Sequence, residues 1–395
     1  MTTAVESLRT HPLEIVWDLQ TADSSLLARV VTHAPEVAEV MSQYRNECPV
    51  AHTCEPFRAG PFFRPVGHAR SFCFSTPRCT TVAFKGTEPF SADFRAHVRR
   101  AWLDRPLLEF SRLDYFALEE NEVYLAVTVE EALTAADVSA RFVGDYERHF
   151  GRLPKTPIPL RVFRVPADIC AAVIESSKSL LSDRPQLSAV RRTSALMRNG
   201  LAVYMYYYPG IPIRAAHALR QFPGAFDGQW EKREMSLQGD ASNEVEFDID
   251  AAISGWLTLL CDILELGYFP TTKVHTGNCL QLQNVVTDGG FCDIDSVEPM
   301  NRVTGTFDFF DALLTAVSLL QETITSVMLE GNEKVLGNLS WVAVWQEVAA
   351  QLRQRRANNA ALDPRLEQFL ETSGMNLLRL ATNTVSDERE RPVES

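Results

Sequence analysis

Asn284, Asp293 and Asp295 are the residues whose types and spacing best suit chemistry. They close the stretch His275 to Ser296, HTGNCLQLQNVVTDGGFCDIDS. Within it an apolar pair, Val285-Val286, is followed by Thr287-Asp288-Gly289-Gly290 and then by Phe291-Cys292. Asp-Gly and Gly-Gly between two apolar runs signal a hairpin. Asn284 stands just before the first strand and Asp293 just after its partner. The turn therefore brings an amide and one or two carboxylates to the same end of a two-stranded ribbon. Such oxygens are hard ligands, suited to Mg²⁺ bridging the phosphates of a nucleotide.

The same stretch resembles the catalytic and metal-binding segment of protein-kinase-like enzymes, above all the aminoglycoside and small-molecule phosphotransferases. There a His-containing loop leads to an Asn, then a hairpin, then Ile-Asp-Phe-Asp or similar. The resemblance implies that His275 is the loop histidine and that Asn284 and Asp293 bind metal and nucleotide. Asp295 would be a second metal ligand or a brace. In active kinases an Asp two residues after the His accepts the substrate hydroxyl proton. Here that position is Gly277, and the spacing from His275 to Asn284 is longer than in that family by two residues. With that Asp missing, His275 and Asp295 are the candidate catalytic bases. A carboxylate acceptor would need no base at all.

A cation for the phosphates is expected from the other half of the chain. Two strand-like runs, Ser71 to Phe74 and Thr80 to Phe84, flank a Ser-Thr-Pro turn, and the second ends in Lys85-Gly86. Kinase-like enzymes hold nucleotide phosphates with a Lys at the end of an apolar strand, and an ammonium is a compact point charge suited to that task. Lys85 and Gly86 are thus the expected cofactor-binding pair; a solvated strand-end Lys is the plain alternative. Lys85-Gly86-Thr87-Glu88-Pro89-Phe90-Ser91 is also similar to the Lys-Gly-rich segment of the selenoprotein O pseudokinases, over about a dozen residues, without one glycine and the closing Arg. That family lacks the usual catalytic Asp and transfers AMP to protein hydroxyls, with ATP in a flipped orientation. Gln283-Asn284 resembles a motif of the much longer siderophore synthetases, which adenylate carboxylates. Arg95, Arg99 and Arg100 follow on a helical stretch, either meeting phosphates or forming a solvated face.

The elements that must position these residues can be read from periodicity. Residues 1–50 carry Leu26, Leu27, Val30, Val31, Val37, Val40 and Met41 at helix-like spacing, an N-terminal helical extension. A strand is expected over Val123 to Val129, a helix over Glu130 to Arg148 and a strand between Pro154 and Pro166. Glu109, Glu130, Glu131 and Glu147 are all candidate partners for Lys85. Residues 167–200 read as mostly helical. LAVYMYYY, Leu201 to Tyr208, is a strand rich in aromatic and branched residues, ending at Pro209-Gly210-Ile211-Pro212, where a kinase-like fold has its interlobe hinge. Residues 213–247 are polar and irregular. A helix capped by Asp248 or Asp250 and closed by Gly267 carries Ile253, Trp256, Leu257, Leu260, Ile263 and Leu264 on one stripe, and it leads directly to the His275 loop. Helices are expected over Phe307 to Leu329, Leu336 to Leu352 and Pro364 to Thr382, and the charged end, Ser386 to Ser395, reads as disordered.

Composition bounds the partners. The chain has 395 residues, a net charge of −13 and 46% hydrophobic residues, enough for a large core in two lobes. The acidic balance argues against nonspecific nucleic-acid binding and against an anionic membrane surface. No apolar run reaches the ~20 residues of a spanning helix. The eight scattered cysteines read as free thiols of a reducing, cytoplasmic setting. The expected fold is α+β: bilobal and protein-kinase-like, with a small antiparallel-sheet N-lobe over 51–210 and an α-rich C-lobe over 211–385. The expected function is an ATP- and Mg²⁺-dependent transferase acting on a small-molecule acceptor. Adenylyl transfer to a protein hydroxyl or a carboxylate, and a pseudokinase scaffold, are the alternatives. Contact between Lys85 and Asp293 in the folded chain would separate the kinase-like arrangements from an unrelated α/β fold.

Overall fold

The computed structural model describes residues 13–45, 62–63, 71–76, 78–86, 127–167, 200–215, 248–271, 278–331, 341–358 and 360–371. The strands are β1 (Glu14–Asp18), β2 (Phe62–Phe63), β3 (Ser71–Ser75), β4 (Thr81–Lys85), β5 (Val127–Thr128), β6 (Ile158–Arg164), β7 (Leu201–Tyr208), β8 (Tyr268–Pro270) and β9 (Val297–Pro299). The helices are α1 (Leu19–Ala22), α2 (Ser24–His33), α3 (Glu36–Gln43), α4 (Val129–Phe150), α5 (Ile249–Glu265), α6 (Thr306–Gly331) and α7 (Trp341–Ala357), followed by one over 364–371. The class is α+β, with an antiparallel sheet and several helices.

The sheet is organised by β7, whose eight residues are all buried. Branched and aromatic side chains suit a strand covered on both faces. Strand order is β1-β6-β7-β4-β3-β2, and β5 pairs with the start of β7. Every pairing is antiparallel. Alternation splits β7 between two apolar clusters. Leu201, Val203, Met205 and Tyr207 join the larger one, with Val82 and Phe84 of β4 and Leu26, Val30, Val37 and Met41 of α2 and α3. Ala202, Tyr204, Tyr206 and Tyr208 join the other, with Ala83, with Ala132, Ala135 and Ala136 of α4, and with Val286 and Cys292 of the candidate hairpin. Helix α4 contributes to both clusters, with Phe142 and Val143 in the larger and its alanines in the other.

The ends of α4 follow capping rules. Thr128 Oγ1 accepts from the Glu131 amide at 3.1 Å, and Glu130 and Glu131 lie in the first turn. Arg148 and His149 lie in the last, complementing the helix dipole. Gly151 at φ 65° closes it in the left-handed region. Helix α5 starts at Asp248, whose carboxylate accepts from the Ala251 amide at 3.0 Å, and Gly267 follows it at φ 76°.

Two expectations need correction. Residues 14–18 are not helical but form the edge strand β1, paired with β6. Ile15, Val16 and Trp17 are branched or aromatic and favour a strand, and helix begins only at Leu19, capped by Asp18. The segment is fastened by Arg161 of β6, whose guanidinium donates to Asp18 Oδ2 at 2.7 Å and to the Met41 and Tyr44 carbonyls at 2.5 and 3.1 Å. Second, the strand expected to run to Val129 ends at Thr128, because Thr128 caps the helix that Val129 opens. Arg95, Arg99, Arg100 and Glu109, the helix expected over 167–200, most of 213–247 and the tail 386–395 lie outside the described residues. Among the described residues no helix is long and apolar enough to cross a membrane.

Helix α2 offers a test of capping in this segment. Asp23 accepts from the Leu26 amide and from Ser25 Oγ, both at 2.8 Å. The Leu26 amide, then Ser25, holds its carboxyl below the ordinary range. Asp23→Ala is expected to cost about 1 kcal/mol at neutral pH. Because the folded pKa is depressed, this contribution is present above the unfolded value of about 3.9 and is lost as pH falls through the folded one. Wild type and variant should therefore converge in urea unfolding as pH falls through the folded pKa of Asp23. A difference that persists undiminished there would contradict the cap.

Candidate active site

The loop that carries the candidate residues is pinched at its base. Strands β8 and β9 pair Tyr268 with Pro299, Phe269 with Glu298 and Pro270 with Val297. The Thr271 amide and hydroxyl both donate to the Ser296 carbonyl at 2.7 Å. Between these fixed ends the hairpin expected from Asp-Gly-Gly is present. Val285 pairs with Phe291 across an antiparallel bridge, the Val286 amide donates to the Gly290 carbonyl at 2.9 Å, and the Cys292 amide donates to the Asn284 carbonyl at 2.8 Å. Asn284 is thus opposite Cys292, and Asp293 leaves the ribbon at the same end.

Helix and sheet both grip this hairpin. Trp256 of α5, fully buried, donates its indole N–H to the Val286 carbonyl at 2.9 Å. Gly255 allows the helix to meet the turn, since a Cβ there would lie 2.6 Å from the Cα of Gly289. On the sheet side Tyr208 donates to Asp288 Oδ1 at 2.9 Å, and the Phe291 amide donates to the Lys155 carbonyl at 3.0 Å. The segment after β7 adds a third edge: Ala215 N–H to the Val285 carbonyl at 3.0 Å and Thr287 N–H to the Ile213 carbonyl at 2.8 Å.

The principal contact joins the two halves of the chain. Lys85 Nζ lies 3.1 Å from Asp293 Oδ1, although 208 positions separate them in sequence. Lys85 ends β4 opposite Tyr204 of β7. Gly86, at φ 91°, turns the chain tightly against β7, where a Cβ would meet the Ala202 carbonyl at 2.5 Å. Gly86 therefore has a packing reason for being glycine. Arg214 reaches the other oxygen, with Nη2 at 3.6 Å from Asp293 Oδ2. The three side chains are 11% (Lys85), 17% (Arg214) and 16% (Asp293) exposed.

Asn284 is buried, and its amide N–H donates to the Asn278 carbonyl at 2.9 Å. That bond turns Oδ1, the end a hard cation would take, toward Cys292, whose thiol lies 3.9 Å away. Asp295 is also buried. Burial pushes the Tyr204 phenol far above its ordinary value; Ser139 opposes this, and Asp295 and Asp293 add to it. The two carboxylates thus face one region beneath β7. Among the described residues no three His, Cys, Asp or Glu side chains are grouped to hold a metal. An amide and carboxylates beside a cation do fit Mg²⁺ in its usual setting, where phosphates and water supply the other ligands. His275 and Gly277 lie outside the described residues. Of the candidate partners for Lys85, Glu147 is engaged elsewhere: Arg29 and His33 of α2 hold it.

Sequence reasoning missed Arg214, which it left at the start of an irregular stretch. The signal was its position just after the Pro209 to Pro212 turn that ends β7, the strand against which Lys85 of β4 pairs.

The nearby thiols are chemically quiet. Burial pushes Cys279 and Cys292 each up to about 12, with Ser296 then opposing it at Cys279 and Arg214 at Cys292. Burial does the same for Cys261, also to about 12. Cys79 is exposed, and all four are free thiols. At pH 8 a thiol near 12 is ionised to about one part in ten thousand. A thiol reagent should therefore label Cys79 in the native protein and spare the other three until denaturant is added. Rapid native labelling of Cys292, read by peptide mass mapping, would contradict this burial.

Comparison with protein-family models and with curated proteins finds no match for this chain.

Proposed function

We propose that this chain is an ATP- and Mg²⁺-dependent transferase of bilobal kinase-like fold that phosphorylates a small-molecule acceptor in the cytoplasm. The observation that carries the reading is the 3.1 Å contact between Lys85 and Asp293. In protein kinases the nucleotide lysine ends the third strand of the small sheet, and the metal-binding Asp follows a hairpin. Val82-Ala83-Phe84-Lys85 also follows the Val-Ala-Ile-Lys pattern of that strand. Further support comes from order along the chain. After Lys85 the long helix α4 precedes two more strands of the same sheet, and α5 then leads to the loop and the hairpin.

In this reading Lys85 orients and neutralises phosphates, with Gly86 giving the strand end its turn. Asn284 and Asp293 hold Mg²⁺, and Asp295 serves as a further ligand or braces the loop. The metal would supply charge neutralisation on the phosphates. Such positioning and neutralisation carry most of phosphoryl transfer. Base assistance is worth roughly 10²–10⁴-fold, so Gly277 in place of an Asp slows the reaction without forbidding it. His275 and Asp295 are the candidate bases.

Adenylyl transfer is the second reading, favoured by two features. Gly277 removes the base that phosphorylation of a hydroxyl normally uses. Arg214 adds positive charge on the side of the turn after β7, so phosphates need not all lie at Lys85. The test of both readings is incubation of the purified protein with Mg²⁺, a metabolite extract and ATP labelled separately at the α and γ phosphates. A γ-labelled small molecule is expected. An α-labelled product with pyrophosphate release would move the assignment to adenylyl transfer. No detectable binding of nucleotide would remove both.

A further inference from the structure

Two cations converge on one carboxylate, each reaching a different oxygen of it. Lys85 arrives from the sheet, at 3.1 Å from Oδ1 of Asp293. Arg214 arrives from the segment after β7, whose backbone is tied to the hairpin on both sides: Arg214 bridges Val286, and Ala215 N–H meets the Val285 carbonyl at 3.0 Å. The backbone at Arg214 is thus fixed while its guanidinium projects to the site. Its distance to Oδ2, 3.6 Å, is longer than a charge-assisted hydrogen bond and far from a bidentate fork. Asp293 alone therefore does not set the place of the guanidinium, which also acts on the Cys292 thiol as a hydrogen-bond donor. Cys292 feels the same convergence: after burial, Arg214, Asp293 and Lys85 are the groups that act on its thiol.

Charge balance gives the arrangement a direction. A divalent cation bound at Asp293 would repel both Lys85 and Arg214 from that carboxylate. The partner that suits two cations displaced in this way is an anion that brings several oxygens. We infer that Arg214 is a second phosphate-binding residue of the nucleotide site, taking a phosphate oxygen opposite Lys85 once Mg²⁺ occupies Asp293. This rests on the Mg²⁺-nucleotide reading given above. It assigns to the segment after β7 a part in reading the phosphate chain. A guanidinium suits that task because its planar donors match phosphate oxygens.

The test is calorimetric binding of adenosine, AMP, ADP and ATP, each with excess Mg²⁺, to the wild-type protein, Arg214→Ala and Arg214→Lys. Arg214→Ala is expected to weaken ATP binding on the order of ten- to a hundredfold, the weight of a charge-assisted hydrogen bond. Adenosine binding should stay within twofold, approximately, of wild type, since adenosine has no phosphate to lose. The loss should enter at one step of the series, which names the phosphate that Arg214 touches. Arg214→Lys keeps the charge without the fork and should fall between. It also serves if the alanine variant does not fold. Equal weakening for adenosine and ATP would mean that Arg214 only braces the site, and the inference would fail. Unchanged ATP affinity in both variants, with wild type binding normally, would also overturn it. Absence of MgATP binding to wild type would overturn the nucleotide reading itself, and the Arg214 role with it.

Discussion

Asp293→Asn is expected to remove nucleotide-dependent turnover and to destabilise the fold at the same time. The two effects have one cause. Asp293 carries the negative charge on which Lys85 and Arg214 converge, at 3.1 and 3.6 Å. As the proposed Mg²⁺ ligand its carboxylate cannot be replaced by an amide of similar shape, because the charge holds the metal. Loss of such a preorganised electrostatic group lowers turnover on the order of 10²–10³-fold. In the folded state without nucleotide, the substitution removes the negative charge that both largely buried cations face. Losing a hydrogen bond to a charged group in this way costs about 1.5–3 kcal/mol.

Lys85→Ala separates these effects. It removes the phosphate cation while Arg214 still faces Asp293, so turnover should fall as it does for Asp293→Asn while stability falls less. Activity would be read from the γ-labelled assay and stability from urea unfolding. Turnover at the wild-type rate in both variants would sink the assignment of this site. Equal stability losses would mean that the carboxylate does not couple the two cations as the distances imply.

Local signals in the sequence were enough for β7, whose limits at Leu201 and Tyr208 are those expected from LAVYMYYY. They were also enough for the hairpin after Asn284 and for the succession of α5, loop and hairpin, since capping, periodicity and turn chemistry are all local. Strands β8 and β9 were not legible. They are three residues each, and their pairing joins Tyr268 to Pro299, which no local pattern records. Strand β1 was missed because five residues of strand precede a stronger helical period. The approach of Lys85 to Asp293 was legible only as a consequence of the resemblance. Arg214 and Arg161 were missed for another reason. A guanidinium looks the same in sequence whether it meets water or a carboxylate far along the chain. Asp262 is the clearest case: it interrupts an apolar stretch of α5 as a solvent-facing residue would, yet it is 1% exposed.

Asp262→Ala is accordingly expected to be among the most destabilising single substitutions in the helical half. Its Oδ2 accepts from the Tyr146 hydroxyl at 2.6 Å and from Arg152 at 2.9 Å, and its Oδ1 accepts from Arg355 at 2.5 Å. Arg355 also reaches Glu265 at 2.9 Å, and Glu265 meets His149 at 2.6 Å. One carboxylate thus fastens α4, α5 and α7 together. Burial pushes the Tyr146 phenol well above its ordinary range, with Asp262 adding to it, so the hydroxyl stays protonated and needs an acceptor. Burial works against the charge of Arg355, and Asp262 with Glu265 more than restores it. Breaking a buried pair from one side costs about 3–5 kcal/mol. The lower end applies here, because Arg152 is 58% exposed and can turn to water, and Arg355 keeps Glu265. Tyr146→Phe alone should cost about 1 kcal/mol. The double variant should lose less than the sum, because a phenylalanine leaves no hydroxyl to satisfy when the carboxylate is gone. Strict additivity in urea unfolding would mean that the two groups do not depend on each other. A loss below about 1 kcal/mol for Asp262→Ala would mean that water replaces the carboxylate, and that the three helices are held by their apolar faces alone.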